Sequence, residues 1–335
     1  MQTSLKTAKE MKMKVLITGA FGNLGSNATK RLLEQGHQVR CFDIKTKPNE
    51  KKARKLRDRV EIAWGDIRKS DTLSAAVKGV DVVIHLAFLL PPLTDTKPEL
   101  ARDINVGGTK NLIDAMKKIS PTPKVIFSSS FSVFGNTQHL EPPRKVTDPV
   151  QTTDNYTQHK IECEKLCAES GIDWCVMRFA VVPPISLSGV TPKAFAFPFK
   201  TRIEFLDPKD AGLAMANAVS SKDIWGQTLL VGGGKECQIH YGDFISRMME
   251  SMGVGGLPEE AFGADASYTD WLDTSESQRL LHYQQHSFAD FVRELPKMMG
   301  PIRFVVPLVR PIARWYVLRQ SPYLKANKAS KKGKA

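Results

Sequence analysis

The most constraining stretch is KVLITGAFGNLGSNATKRLLEQGHQVRCFDI, residues 14–44. A short apolar strand, Val15 to Thr18, runs through Gly19, Gly22 and Gly25 into an amphipathic helix and then a second strand, which is the pattern of a βαβ unit. Glycines spaced as GxxGxxG at a strand-to-helix turn let the backbone approach a pyrophosphate, and the helix N-terminus offers it N–H donors. Phe21, Asn23 and Leu24 lie between those glycines and are expected to line the same site. Asp43 ends the second strand, where a carboxylate can accept hydrogen bonds from adenosine ribose hydroxyls and repel a 2′-phosphate. NAD is therefore favoured over NADP, with Lys45 and Lys47 nearby weakening the preference.

Further apolar strands are expected at Val60 to Ala63, Val82 to Leu86, Lys124 to Ser128 and Trp174 to Phe179. Helix-like stretches around Leu73 to Val77, Gly107 to Lys117 and Tyr156 to Glu169 separate them. Such alternation implies an α/β fold, a Rossmann-like doubly wound parallel sheet with helices on both faces. Beyond Val181 the pattern becomes irregular, so residues 13–180 read as the NAD-binding domain and 181–295 as a smaller substrate lobe. Two pieces, Ile203 to Leu206 and Thr228 to Val231, look as if they return to the sheet or its edge.

Tyr156 and Lys160 are one helical turn apart and can reach the same cofactor edge. A tyrosine titrates too high to act as a base at neutral pH, but a neighbouring ammonium and an oxidised nicotinamide stabilise its phenolate. Ser130, in FSSSFSVFG, follows the fifth strand and can hold a substrate oxygen. Ser128 and Phe131 flank it, on the cofactor and substrate sides respectively. Asp66, after the third strand and next to Ile67, is placed to cap the adenine end. His85 is more often a satisfied core histidine than a catalyst, and no role is assigned to it.

TGAFGNLG, the strand-end Asp43, GDI at 65–67, HLA at 85–87, NVGGT at 105–109, the serine cluster, YTQHK and MRF at 177–179 occur in this order. Together they resemble the extended short-chain dehydrogenases/reductases, the NAD-dependent epimerase/dehydratase family, over roughly residues 13 to 290. The resemblance implies a Tyr156–Lys160–Ser130 catalytic set, with Lys160 also anchoring the ribose. It further implies Asn105 near the nicotinamide side, Leu86, Ala87 and Phe88 lining the cofactor cleft, and Phe179 close to the nicotinamide amide. A homodimer is implied too, since members often pair through a helix bundle containing the Tyr/Lys helix.

The family includes nucleotide-sugar epimerases and dehydratases as well as hydroxysteroid dehydrogenases, so fold does not settle the reaction. Nucleotide-sugar members usually carry an Asn shortly after the sixth strand; here RFAVVPP puts Val181 there. The loops FLLPPL (88–93) and AFAFPF (194–199) are strongly apolar and should border the substrate, with Phe88 and Val181 in contact with it. A pocket with few polar anchors suits a lipophilic, steroid-like alcohol or ketone. The alternative for these segments is ordinary core between lobe and sheet. A nucleotide-sugar epimerase/dehydratase and a non-catalytic NAD(P)-binding sensor remain the competing functions, though sensors of this fold typically lose the Tyr/Lys pair.

The net charge of +13 is concentrated at one end: ten Lys/Arg and no Asp/Glu lie beyond Leu295, leaving about +3 for the rest. No helix-turn-helix, zinc or RNA-binding signature accompanies that charge, so no nucleic-acid partner is expected. Within the basic segment 296–335, FVVPLVRPIARWYVL (304–318) is too short and interrupted to span a bilayer. If helical, it gathers Val305, Leu308, Val309, Ile312 and Tyr316 on one face and Arg303, Arg310 and Arg314 on another. That suits either a membrane interface or packing on the body or on a second subunit. Residues 1–12 read as a polar tail without a secretory signal, and the lysine-rich KANKASKKGKA as disordered. Five cysteines without a CxxC fit a reducing, cytoplasmic setting, with Cys163 and Cys167 as buried thiols rather than metal ligands; no metal is expected.

Overall fold

The computed structural model describes residues 12–56, 58–183 and 191–327; the polar tail up to residue 11 and the lysine-rich residues 328–335 lie outside them. The first half alternates as expected: β1 (Lys14–Thr18), α1 (Asn23–Glu34), β2 (Gln38–Asp43), α2 (Lys47–Arg54), β3 (Glu61–Trp64), α3 (Ser70–Val77) and β4 (Val82–His85). Two short helices, α4 (Leu93–Thr96) and α5 (Pro98–Arg102), lead through a π-helical turn, Asp103–Gly107, into α6 (Gly108–Lys117). Then come β5 (Lys124–Ser130), α7 (Asn155–Ala168) and β6 (Trp174–Phe179).

The strands pair in parallel in the order β3-β2-β1-β4-β5-β6-β8, the last being Gln227–Val231. The order reverses between β1 and β4, and ligands of such sheets sit at the strand carboxyl ends beside that reversal. Both faces are covered. Val15, Ile17 and Ile84 point into a core shared with α1 and α8 (Pro208–Ser220), while Leu16, Val83 and Phe127 point into a second core under α3, α6 and α7. Gly212 lets α8 approach α1: an added Cβ would lie 2.7 Å from the Asn27 backbone.

The second half departs from the simple alternation. β8 (Gln227–Val231) joins the main sheet beside β6, as expected for Thr228 to Val231. Ile203 to Leu206 does not join it. β8 already occupies the free edge of β6, so β7 (Arg202–Glu204) instead pairs antiparallel with β9 (Gln238–His240) in a separate two-stranded sheet. Val181 connects the two layers, donating its N–H to the Glu204 carbonyl at 3.0 Å. α9 (Tyr241–Ser251) and α11 (Phe288–Met298) complete the lobe's own aromatic core, and α10 (Ser275–Leu281) packs back on β8.

AFAFPF turns out to belong to that core. Phe195 is fully buried 5.7 Å from Phe262, Phe199 meets the same ring at 5.2 Å, and Phe197 lies edge-on to Tyr241. The lobe has few strands to fill its interior, and these rings supply the volume. In FLLPPL, by contrast, Leu90 and Leu93 are exposed.

The basic segment forms α12 (Ile302–Val305), a 3-10 turn over Val306–Val309 and α13 (Arg310–Arg319). Pro307 falls within the break and Pro311 in the first turn of α13, where a missing N–H costs nothing. The segment packs on the lobe through Val306, Ala313, Val317 and Leu318. Arg310 and Arg314 turn inward to the Glu250 carboxylate and the Gly256 carbonyl, so they belong to the packed side of the segment.

Candidate active site

The glycine turn is built by close approach. Gly19 has φ +69°, and a Cβ there would lie 2.9 Å from the Ala87 nitrogen; one on Gly25 would lie 2.4 Å from the Gly19 carbonyl oxygen. Gly22 caps α1 without a side-chain hydrogen bond, and the first turn carries no acid. The N-terminal N–H groups of α1 are thus left for an anion, which fits a pyrophosphate. Asn23 reaches the lobe through a 3.3 Å bond to the Pro183 carbonyl, and Leu24 packs on the core below. Phe21 is buried against Trp64, ring centroids 5.4 Å apart, so only its backbone faces the turn.

Asp43 stands directly behind this turn. Its carboxylate accepts the N–H of Phe21 at 3.0 Å and of Ile44 at 2.8 Å. Burial raises its pKa above the ordinary carboxylate value, opposed by those two N–H groups and by Lys52. Asp66 is engaged by the Arg68 guanidinium through both oxygens, which holds its carboxyl below the usual range. Ile67 is buried against Gly108.

His85 is a satisfied core histidine. Its ring lies between the Thr18 hydroxyl at 2.7 Å and the Thr109 hydroxyl at 2.9 Å, and burial followed by the Lys160 charge pushes its pKa down to about 3. The Thr18 hydroxyl also accepts the N–H groups of Leu86 and Ala87, fixing the start of the next loop. Asn105 fixes its continuation. Fully buried in the π-helical turn, its amide accepts from the Leu89 N–H at 2.7 Å and donates to the Leu89 carbonyl at 3.1 Å. The two clamps present Phe88 to the Tyr156/Lys160 helix.

That helix starts with a capping box between Asp154 and Thr157, which sets Tyr156 in its first turn. Burial pushes the pKa of the Tyr156 hydroxyl up to about 12, opposed by the Ser130 side chain beside it. Lys160 is buried. Its ammonium donates to the Ser128 carbonyl at 2.5 Å and lies 3.7 Å from the Phe88 ring centroid, 4.9 Å from Phe127 and 5.7 Å from Tyr156. Burial lowers its pKa to about 7. The Ser130 hydroxyl also meets Ser132 at 2.8 Å. Phe131 is half-buried on the sheet core, Phe179 is buried at the end of β6, and Val181 packs on the lobe core.

A second polar group behind these residues escaped the sequence reading. Arg178 pairs with Glu164 at 2.7 Å, both nearly buried, and Ser129 bonds the same carboxylate. Glu164 lies one turn beyond Lys160, but nothing local links it to Arg178 on β6. Cys163 and Cys167 are buried, with Cys163 donating to the Asn105 carbonyl.

The family model for the NAD dependent epimerase/dehydratase family matches residues 15–195. A 3 beta-hydroxysteroid dehydrogenase/Delta 5-->4-isomerase of Mycobacterium tuberculosis is 32% identical over 169 residues, 48% of this chain and 44% of that protein. A UDP-glucose 4-epimerase of Lacticaseibacillus casei is 27% identical over 183 residues, 54% of this chain and 53% of that protein. The chain spans about half the length of the curated relatives it matches. Among solved structures, a UDP-glucose-4-epimerase from Stenotrophomonas maltophila with bound NAD superposes with a TM-score of 0.74. The match covers 88% of this chain and 99% of that one at 21% identity, a likeness of fold alone.

Proposed function

The chain belongs to the NAD-dependent epimerase/dehydratase family, and from that membership we propose that it is an NAD-dependent oxidoreductase acting on a lipophilic, steroid-like alcohol or ketone. The observation that carries this reading is the buried Lys160 ammonium 5.7 Å from the Tyr156 ring centroid, with the Ser130 side chain close enough to Tyr156 to influence its hydroxyl. In the oxidation direction bound NAD would supply the hydride acceptor for the carbinol carbon, while Tyr156 takes the proton of the substrate hydroxyl. Ser130 holds the substrate oxygen throughout, so that charge developing there meets a fixed donor. A protonated Lys160 and the positive charge of an oxidised nicotinamide would favour the Tyr156 phenolate, against the burial that pushes its pKa up to about 12. Gly19, Gly22 and Gly25 with the α1 N-terminus would hold the pyrophosphate and Asp43 the adenosine ribose, with Leu86 to Phe88 forming the cleft wall.

A lipophilic substrate is supported by the hydroxysteroid dehydrogenases among the relatives, by Val181 in place of a polar anchor and by the apolar loop at Leu90 and Leu93. The epimerase relative favours a second reading, internal oxidation and re-reduction of a nucleotide sugar. NADH absorbance on mixing protein, NAD and a panel of hydroxysteroids, other lipophilic alcohols and nucleotide sugars separates the two. Growth with a lipophilic alcohol, abolished in Tyr156→Phe while NAD binding persists, is the expected result. Activity retained by Tyr156→Phe refutes the mechanism, and conversion of a nucleotide sugar without net NADH favours the second reading.

We propose also that the protein works as a homodimer at the cytoplasmic face of a membrane. Its C-terminal segment supports the membrane placement. No described helix is long and apolar enough to cross a bilayer, so contact through that segment would be interfacial.

A further inference from the structure

α13 is apolar on two opposite sides. Ala313 and Val317, one turn apart, face the lobe, while Ile312, Trp315 and Tyr316 share the outer face with exposures of 67%, 58% and 62%. Ahead of it Leu308 is 82% exposed, and Ile302 and Phe304 extend the same surface toward α12. Large apolar side chains exposed opposite a helix's packed face form surface of the kind that marks a contact site.

The charges around it discriminate between occupants. From residue 296 onward the chain carries ten Lys/Arg and no Asp/Glu. Arg310 and Arg314 are spent on the lobe, but Arg303 and Arg319 form no ion pair among the described residues. They lie on the patch's own aromatic rings, Arg303 over Phe304 at 4.6 Å and Arg319 over Trp315 at 5.3 Å. A second copy docking by the same face would set these cations against each other. An anionic bilayer takes the rings and aliphatic chains at its boundary and the cations at its head groups.

We infer that the outer face of α12 and α13 is a docking surface for an anionic lipid bilayer. This rests on the membrane-face placement proposed above and names its surface and lipid chemistry. The test is co-flotation of the full chain with phosphatidylcholine vesicles with and without phosphatidylserine. Binding to the anionic vesicles, weakened by salt and reduced about tenfold by either Leu308→Glu or Ile312→Glu, is expected. Both side chains point outward, so NAD binding and thermal melting should be unchanged and certify folding. Equal binding to both vesicles overturns the anionic chemistry but leaves the membrane placement standing, whereas binding to neither overturns both. Vesicle binding indifferent to the two substitutions overturns the choice of surface. A solution dimer dissociated by Ile312→Glu assigns the face to a second copy instead.

Discussion

Lys160→Met should make the protein inert and more stable. The wild-type ammonium is buried against Phe88, Phe127 and Tyr156 with the Ser128 carbonyl as its acceptor, and its pKa falls from 10.5 to about 7. Each unit is worth about 1.4 kcal/mol, so the charged form costs the fold about 5 kcal/mol below pH 7. Methionine fills a similar volume without that cost, while the Ser128 carbonyl loses its donor, a penalty of about 1–3 kcal/mol. The net gain is about 3 kcal/mol, or about 4 °C in Tm for a chain of this length. The folded pKa lies below the unfolded one, so wild-type stability rises with pH from about 7 and levels off near 10.5. The variant lacks that rise, and its advantage should be full below about pH 7, fade to nothing near about pH 9 and reverse by about pH 10.5, where only the orphaned Ser128 carbonyl separates the two proteins. Thermal melts of both proteins without cofactor across this range, beside NADH assays at neutral pH, read both effects. A variant less stable than wild type at neutral pH, or an advantage that does not shrink on alkalinisation, refutes the placement of a costly charge here.

Asp43→Asn keeps the acceptor for the Phe21 N–H but removes the charge, and the NAD-over-NADP affinity ratio should fall about tenfold in titration calorimetry. An unchanged ratio removes Asp43 from the ribose. Gly25→Ala places a methyl 2.4 Å from the Gly19 carbonyl oxygen and 2.7 Å from that of Ala20. It should cost about 1–3 kcal/mol in denaturant unfolding and weaken NAD binding, because the turn must open to admit it; wild-type affinity would show that the turn does not shape the site.

What the sequence disclosed followed from locality. The glycine turn, Asp43 and the Tyr156/Lys160 spacing each lie within one turn or one βαβ unit, and their geometry follows from the local backbone. Trp174–Phe179 matches its expected limits, whereas β5 runs on to Ser130 because Ser129 and Ser130 pair with Arg178 and Phe179 of β6. Partner choice between distant segments is not written in local periodicity. Ile203 to Leu206 has the composition of a strand, but only the prior claim of β8 on the β6 edge decides which sheet it enters. The Asn105 clamp on Leu89 and the Glu164–Arg178 pair join residues whose neighbours carry no trace of the contact. An apolar run such as AFAFPF reads alike whether it lines a pocket or fills a core.

The chain passes between sheet and lobe repeatedly: out after β6 at Val181, back into α8 at Asp207, out after β8, and back again in α10. A lobe stitched on by one strand can swing; one stitched at several places resists rotation, because every seam would have to yield together. On the proposed function, admission of substrate to Tyr156 would therefore fall to local displacements at the rim, such as the loop at Leu90 to Leu93, whose exposed leucines lie between the Asn105 clamp on Leu89 and the Asn155 bond to the Thr94 carbonyl.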